Sequence, residues 1–256
     1  MRQIFTLAIF TFKELLRKKD FYVFLILFFA LGVFFYNDSF SGIKDTSRYL
    51  KDIGLSLITI FSLIIAITFS AKQIPGELET KTIYPLLAKP VSRNYFVLGK
   101  FLGSLYISFL SFTVFYILFL FIIRTKGEFA SVALLFQVYI FSLCLLCLIS
   151  AITLFLSIFL TLSANVTIVL LLYILISWYN GFLRDSLLNA KGKLSIANTL
   201  VYYLLPHFEF YDIKIRLVHL WDPLPLWVIA AVTAYTLIYA GIVIAFANLA
   251  FKRKSL

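Results

Sequence analysis

The chain has 256 residues, 62% of them hydrophobic and 14% charged, whereas soluble globular domains run nearer about 45–50% apolar and about 25% charged. So much Phe, Leu and Ile cannot be hidden in one soluble core, which excludes a soluble fold. The net charge of +11 sits on Lys and Arg that flank apolar runs. It forms no basic stripe interleaved with base-reading side chains, which excludes nucleic acid and points to membrane topology and anionic lipid.

Residues 2–19 come first. Ile4, Phe5, Ala8, Ile9, Phe12, Leu15 and Leu16 recur at helical spacing, while Lys13, Glu14 and Arg17 fall elsewhere. This predicts an amphipathic helix in the interface, with Arg17, Lys18 and Lys19 at the headgroups.

A spanning helix needs about 20 apolar residues, because the hydrocarbon core is about 30 Å thick and each residue rises 1.5 Å. By that measure spans are predicted over roughly 21–37, 53–72 and 97–123. The first has no small-residue cleavage site behind it and is read as retained, not as a signal peptide. From Phe129 to Tyr179 the chain runs 51 residues without Lys, Arg, Asp or Glu. One helix of that length overshoots a bilayer, so spans at 130–160 and 165–181 are predicted, with TLSAN (161–165) as their turn. A sixth span covers roughly 225–250, entered through the prolines of DPLPLW and closed by Lys252, Arg253 and Lys254.

The expected fold is therefore an all-α polytopic membrane protein forming one transmembrane domain over 1–256, with six spans behind the interfacial helix. Six spans place both termini on one side. That side holds thirteen Lys and Arg against ten, and four acidic residues against eight, a balance of +9 against +2. The termini and the 73–97 loop are accordingly expected in the cytoplasm, with residues 182–222 as a long outer loop.

Within the spans there is no Asp, Glu or His, and Lys100 lies near an end. Ion-coupled carriers need ionisable groups near the midplane, so this disfavours a secondary transporter acting alone. HExxH and the GxxxxGK[ST] phosphate loop are both missing, so no cofactor is expected on this chain, and if nucleotide powers it, another chain binds that nucleotide. Cys144 and Cys147 share C-x-x-C spacing but lie in an apolar helix without His or carboxylates, and read as packing residues. Gln137 and Asn165 read as groups that bond backbone or neighbouring helices. His207 and His219, twelve residues apart without further ligands at metal spacing, read as surface histidines.

The 73–97 segment carries the most information. Pro75 and Gly76 are expected to stop the second span, and Glu77 and Glu79 then suit a new helix N-terminus. Leu78, Ile83, Leu86 and Leu87 supply an apolar face, Pro85 interrupts it, and Lys89-Pro90 ends it. Ser92 is the expected N-cap of the third span. The residues alone leave two readings open: an element that transmits force from a soluble partner, or an ordered connecting loop.

The pattern formed by Glu77, Glu79, Lys81, Thr82, Leu86, Leu87, Pro90, Val91, Ser92, Arg93 and Lys100 resembles the cytoplasmic loop of ABC-2 type transporter permeases. Lys81 stands where many relatives have glycine, and Pro85 departs from the pattern. The segment YYLLPHFEFYDI (202–213) is similar to an outer-loop motif of permeases associated with multicopper-enzyme maturation. What the resemblance implies is a transport subunit in a prokaryotic inner membrane, usually an exporter. It would pair with a second permease copy and with ATP-binding subunits. Residues 76–91 would be its coupling helix. Glu77, Glu79 and Arg93 would make polar contacts with the ATPase, and Leu78, Ile83, Leu86 and Leu87 would pack on it or on lipid, with Lys81, Thr82 and Pro90 in the same element. A scaffold that docks a soluble partner without transport, and an ATP-independent carrier, are the alternatives.

Overall fold

The computed structural model describes residues 2–37, 46–79, 93–125, 131–189, 203 and 205–253. Helices account for nearly all of them. In chain order they are α1 (Arg2–Leu16), α2 (Lys19–Asn37), α3 (Thr46–Ala71), α4 (Gln73–Glu79), α5 (Arg93–Thr125), α6 (Val132–Leu156), α7 (Leu162–Asn189), a 3-10 turn (Phe208–Tyr211), α8 (Lys214–Val218) and α9 (Leu226–Arg253). Among the described residues, five helical stretches are long and apolar enough to cross a membrane: Lys51–Glu79, Asn94–Thr125, Val132–Leu156, Leu162–Gly181 and Leu226–Arg253. α2, over the predicted first span, is a 19-residue helix outside that set.

α3, α5 and α6 form the centre. Phe28 of α2 stacks on Phe115 of α5 at 3.9 Å between ring centroids and meets Phe61 of α3 edge-on. These rings fill the space between three helices that have few small residues there. A second apolar cluster closes the end of the bundle where α5 begins. It joins Ile74 of α4, Phe96 and Phe101 of α5, Leu154 of α6, Ile158 of the turn that follows, and Ala247 and Phe251 of α9. Phe96 and Phe251 stack there at 5.5 Å.

Several buried hydroxyl groups are spent on local backbone. Ser104, Ser108 and Ser111 of α5 and Thr153 of α6 are buried and bond carbonyls three or four residues back in their own helices, as expected where water is excluded. Gln137 does the same across helices. Its Nε2 donates to the Leu224 carbonyl at 2.7 Å and its Oε1 accepts from the Leu224 N–H at 2.9 Å. One side chain thus satisfies the residue between Pro223 and Pro225 at the entry to α9.

Two boundaries differ from expectation. The turn between α6 and α7 occupies 157–161, and most of TLSAN lies inside α7. Asn165 explains the shift: its Nδ2 donates to the Thr153 carbonyl at 3.0 Å, while Ser157 Oγ donates to Leu154. The Thr153 carbonyl also accepts the Ser157 N–H at 2.9 Å, so the last turn of α6 is closed by Ser157 and tied to α7 by Asn165. The break after the second span falls at Lys72, not at Pro75 and Gly76. A proline in a helix cannot donate to, and clashes with, the carbonyl four residues earlier, here Ala71. The helix therefore breaks behind Pro75, and Pro75 itself sits in the first turn of α4, where its missing N–H costs nothing.

His207 also departs from its reading as a surface residue. It is buried, its ring stacks on Phe210 at 5.1 Å, and its backbone N–H donates to Tyr235 Oη at 3.1 Å. The apolar sequence around it folds the segment at 205–211 onto α9. His219 is exposed and stacks on Trp221.

Candidate coupling site

The site is built where α1, α4 and the start of α5 meet. α4 has a helical period that puts Ile74, Glu77 and Leu78 on one face and Glu79 on the other. Ile74 is fully buried, Leu78 packs partly buried against the same apolar cluster, and Glu79 is exposed. Gln73, also buried, donates to the Phe69 carbonyl at 3.1 Å and caps the end of α3.

Lys100 of α5 is the focus. Its side chain is 5% exposed, its Nζ is hydrogen-bonded to Glu77 Oε1, and Glu77 is itself 13% exposed. Glu14 of α1 lies 3.9 Å from the same ammonium and is half-exposed. The Phe96 ring adds a cation–π contact at 5.9 Å. A buried ammonium carries a desolvation cost of several kcal/mol, which is offset here only because carboxylates of two other helices converge on it. Around this centre run two more exposed pairs, Lys18 with Glu14 at 2.9 Å and Lys72 with Asp20 at 3.5 Å.

α1 lies lengthwise along α5. A Cβ on Gly99 would stand 2.6 Å from Leu7 Cβ, and one on Gly103 would stand 2.5 Å from Thr11 Cβ. The contacts are one turn apart on both helices, so α1 and α5 run side by side in the same direction. Ala8, Thr11 and Leu15 are buried in this seat. The apolar residues of α1 thus split into two faces. One packs on α5, while Phe5 and Ile9 stay about half exposed beside Lys13.

Over residues 5–256 the chain matches the family model described as ABC-2 family transporter protein. The chain belongs to that family. It is a multi-pass membrane permease of an ABC transporter. No curated protein matches it.

In this ABC-2 permease the predicted site residues fall into three groups. Glu77 and Leu78 are turned into the chain's own fold, and Glu79 faces out. The backbone of Arg93 opens α5. Lys81, Thr82, Ile83, Leu86, Leu87 and Pro90, with the expected cap Ser92, lie outside the described residues. Sequence reasoning missed Lys100 as the partner of Glu77 and missed the seat of α1. The second had a visible signal, the G-x-x-x-G of 99–103 in an apolar run, which permits close helix approach.

The two cysteines are free thiols; Cys144 is buried and approaches Thr233 of α9 at 3.9 Å. Among the described residues no group of three or more His, Cys, Asp or Glu could hold a metal ion. Beside His207, burial pushes the imidazole below its ordinary value of 6.5, partly opposed by Glu209 and by the Leu205 carbonyl.

Proposed function

We propose that this ABC-2 permease is driven by ATP bound, with Mg, on separate subunits, and that α4 and the segment following it receive the stroke. One observation carries this reading. α4 is anchored to the rest of the bundle by Glu77, held by Lys100 of α5, and by Ile74 on its inner face while it holds Glu79 outward, at the start of the segment that carries the coupling pattern. An element so fixed moves its spans when it is pushed, and a floppy connection does not. Closure of an ATPase dimer beneath it would shift the bundle between two conformations through its differential contacts with each.

On this reading the end of the bundle holding α1, α4 and the end of α9 faces the cytoplasm of a prokaryotic cell, as the charge balance favours. α2 completes a set of six spans. A second copy, or a related permease, covers part of α7 and α9, whose apolar windows are only 11% and 17% covered within the chain against 44–50% for the other three. The movement is export, and the cargo is a solute or a lipid-like molecule.

The test is gentle purification of the tagged protein, scored for a chain with a phosphate-binding loop, with Glu79→Lys and Arg93→Glu as variants. The expected result is normal insertion with reduced ATPase retention or stimulation in both. Variants that hold and stimulate the ATPase like the wild type remove those two residues from docking. A permease that keeps its ATPase without ATP-dependent cargo movement is a scaffold.

A further inference from the structure

The geometry points to Lys100 as a positioning residue that makes α1, α4 and the first turns of α5 one mechanical unit, so that a push on α4 is delivered to α1. The inference deepens the proposed function and rests on it for its physiological meaning, although its structural part stands alone.

Three observations converge. First, Lys100 is on the helix that seats α1, one residue from Gly99 and three from Gly103, where the close approach leaves no room for a Cβ. Second, its ammonium is buried and its nearest carboxylate belongs to α4, through Glu77. Third, Glu14 brings a carboxylate from α1 to the same atom, at 3.9 Å. α4 cannot swing away from α5 without leaving an ammonium and a carboxylate apart in a buried place, which is far more costly than separating a surface pair. α1 cannot stay behind, because it is interlocked with α5 on both glycines. A load applied at Glu79 is therefore shared by three helices rather than bending one.

The experiment uses two spin labels, at Lys13→Cys on α1 and Glu79→Cys on α4, both exposed positions. Cys144 and Cys147 are replaced by Ala, and the full chain is held in lipid nanodiscs without any partner. The width of the distance distribution reads the rigidity of the unit. Lys100→Met is expected to broaden it, because the ammonium that draws the Glu77 and Glu14 carboxylates together is gone. The full charge exchange, Glu77→Lys and Glu14→Lys with Lys100→Glu, is expected to narrow it again, since both carboxylate–ammonium contacts reform with reversed polarity. In the complex carrying native residues 13 and 79, Lys100→Met is expected to retain the ATPase while cargo moved per ATP falls by about 5- to 150-fold, the span of ordinary coupling energies. The exchange should recover it.

If Lys100→Met leaves the distribution as narrow as in the wild type, the inference is overturned. A broadened distribution that the exchange does not narrow also overturns it, since the lesion is then general loosening. If the labels respond as expected but no ATPase accompanies the wild-type protein, the three-helix unit holds and the proposed function fails.

Discussion

Gly103→Ala tests how α1 is held. The added Cβ would lie 2.5 Å from Thr11 Cβ, 2.6 Å from Thr11 Cγ2 and 3.1 Å from the Ala8 carbonyl oxygen. Ordinary carbon contacts are about 3.5–4.0 Å, so α1 must retreat by about 1 Å or more. None of these neighbours is the loose end of a long side chain. Overpacking of this kind costs about 1–3 kcal/mol. Alanine also raises the helix propensity of α5 by about 1 kcal/mol, but α5 is helical whether α1 is seated or not, so that gain cancels. At 1.4 kcal/mol per factor of ten, the seat should open about 5- to 150-fold more often.

The assay is thiol labelling of Ala8→Cys, a fully buried position in the seat, in a background with Cys144 and Cys147 replaced by Ala. Gly103→Ala should accelerate labelling by that factor, and Thr11→Gly in the same chain should return it most of the way. Gly241→Ala serves as the control, because nothing lies within 4 Å of its Cβ position. Equal labelling in Gly103→Ala and the parent would refute the steric account of the seat. A rise that Thr11→Gly leaves unchanged would refute it too.

Gln137→Leu should strip both side-chain partners from the part-buried Leu224 backbone at once, costing about 0.5–1.5 kcal/mol for each hydrogen bond lost; Gln137→Glu, which keeps an acceptor but no donor, should cost roughly half of that total. Faster amide exchange over 224–228, graded in that order, is the measurement. The segment at 205–211 should respond to pH through His207. Its folded-state value lies below 6.5 because burial disfavours the imidazolium, so the stability it lends is intact above about 6.5 and is lost as pH falls through the lowered value. Exchange at 205–211, corrected for intrinsic rate, should rise between about pH 7.5 and about pH 5, and His207→Gln should abolish the rise.

What the sequence made legible was whatever depends on near neighbours. Long charge-free runs gave helices, and Pro75 gave a break, although the displaced carbonyl is Ala71 and so the break belongs three residues earlier than the proline itself. The contacts of Gln137 with Leu224, 87 residues away, and of Lys100 with Glu77, 23 residues away, have no local signature. Neither does the burial of His207, which depends on Tyr235 of α9 meeting the segment at 205–211.

The break at Lys72 is local. The N–H of Lys72 still donates to the Thr68 carbonyl and that of Gly76 to the Lys72 carbonyl, each four residues back, so the helical phase runs on from α3 into α4. That phase turns Ile74 to the apolar cluster, and the helical period then carries Glu77 to the same side and Glu79 to the other. Spacing along one helix thereby decides which acidic residue meets Lys100 inside the fold and which faces out: three residues on from Ile74 points inward, and five points away.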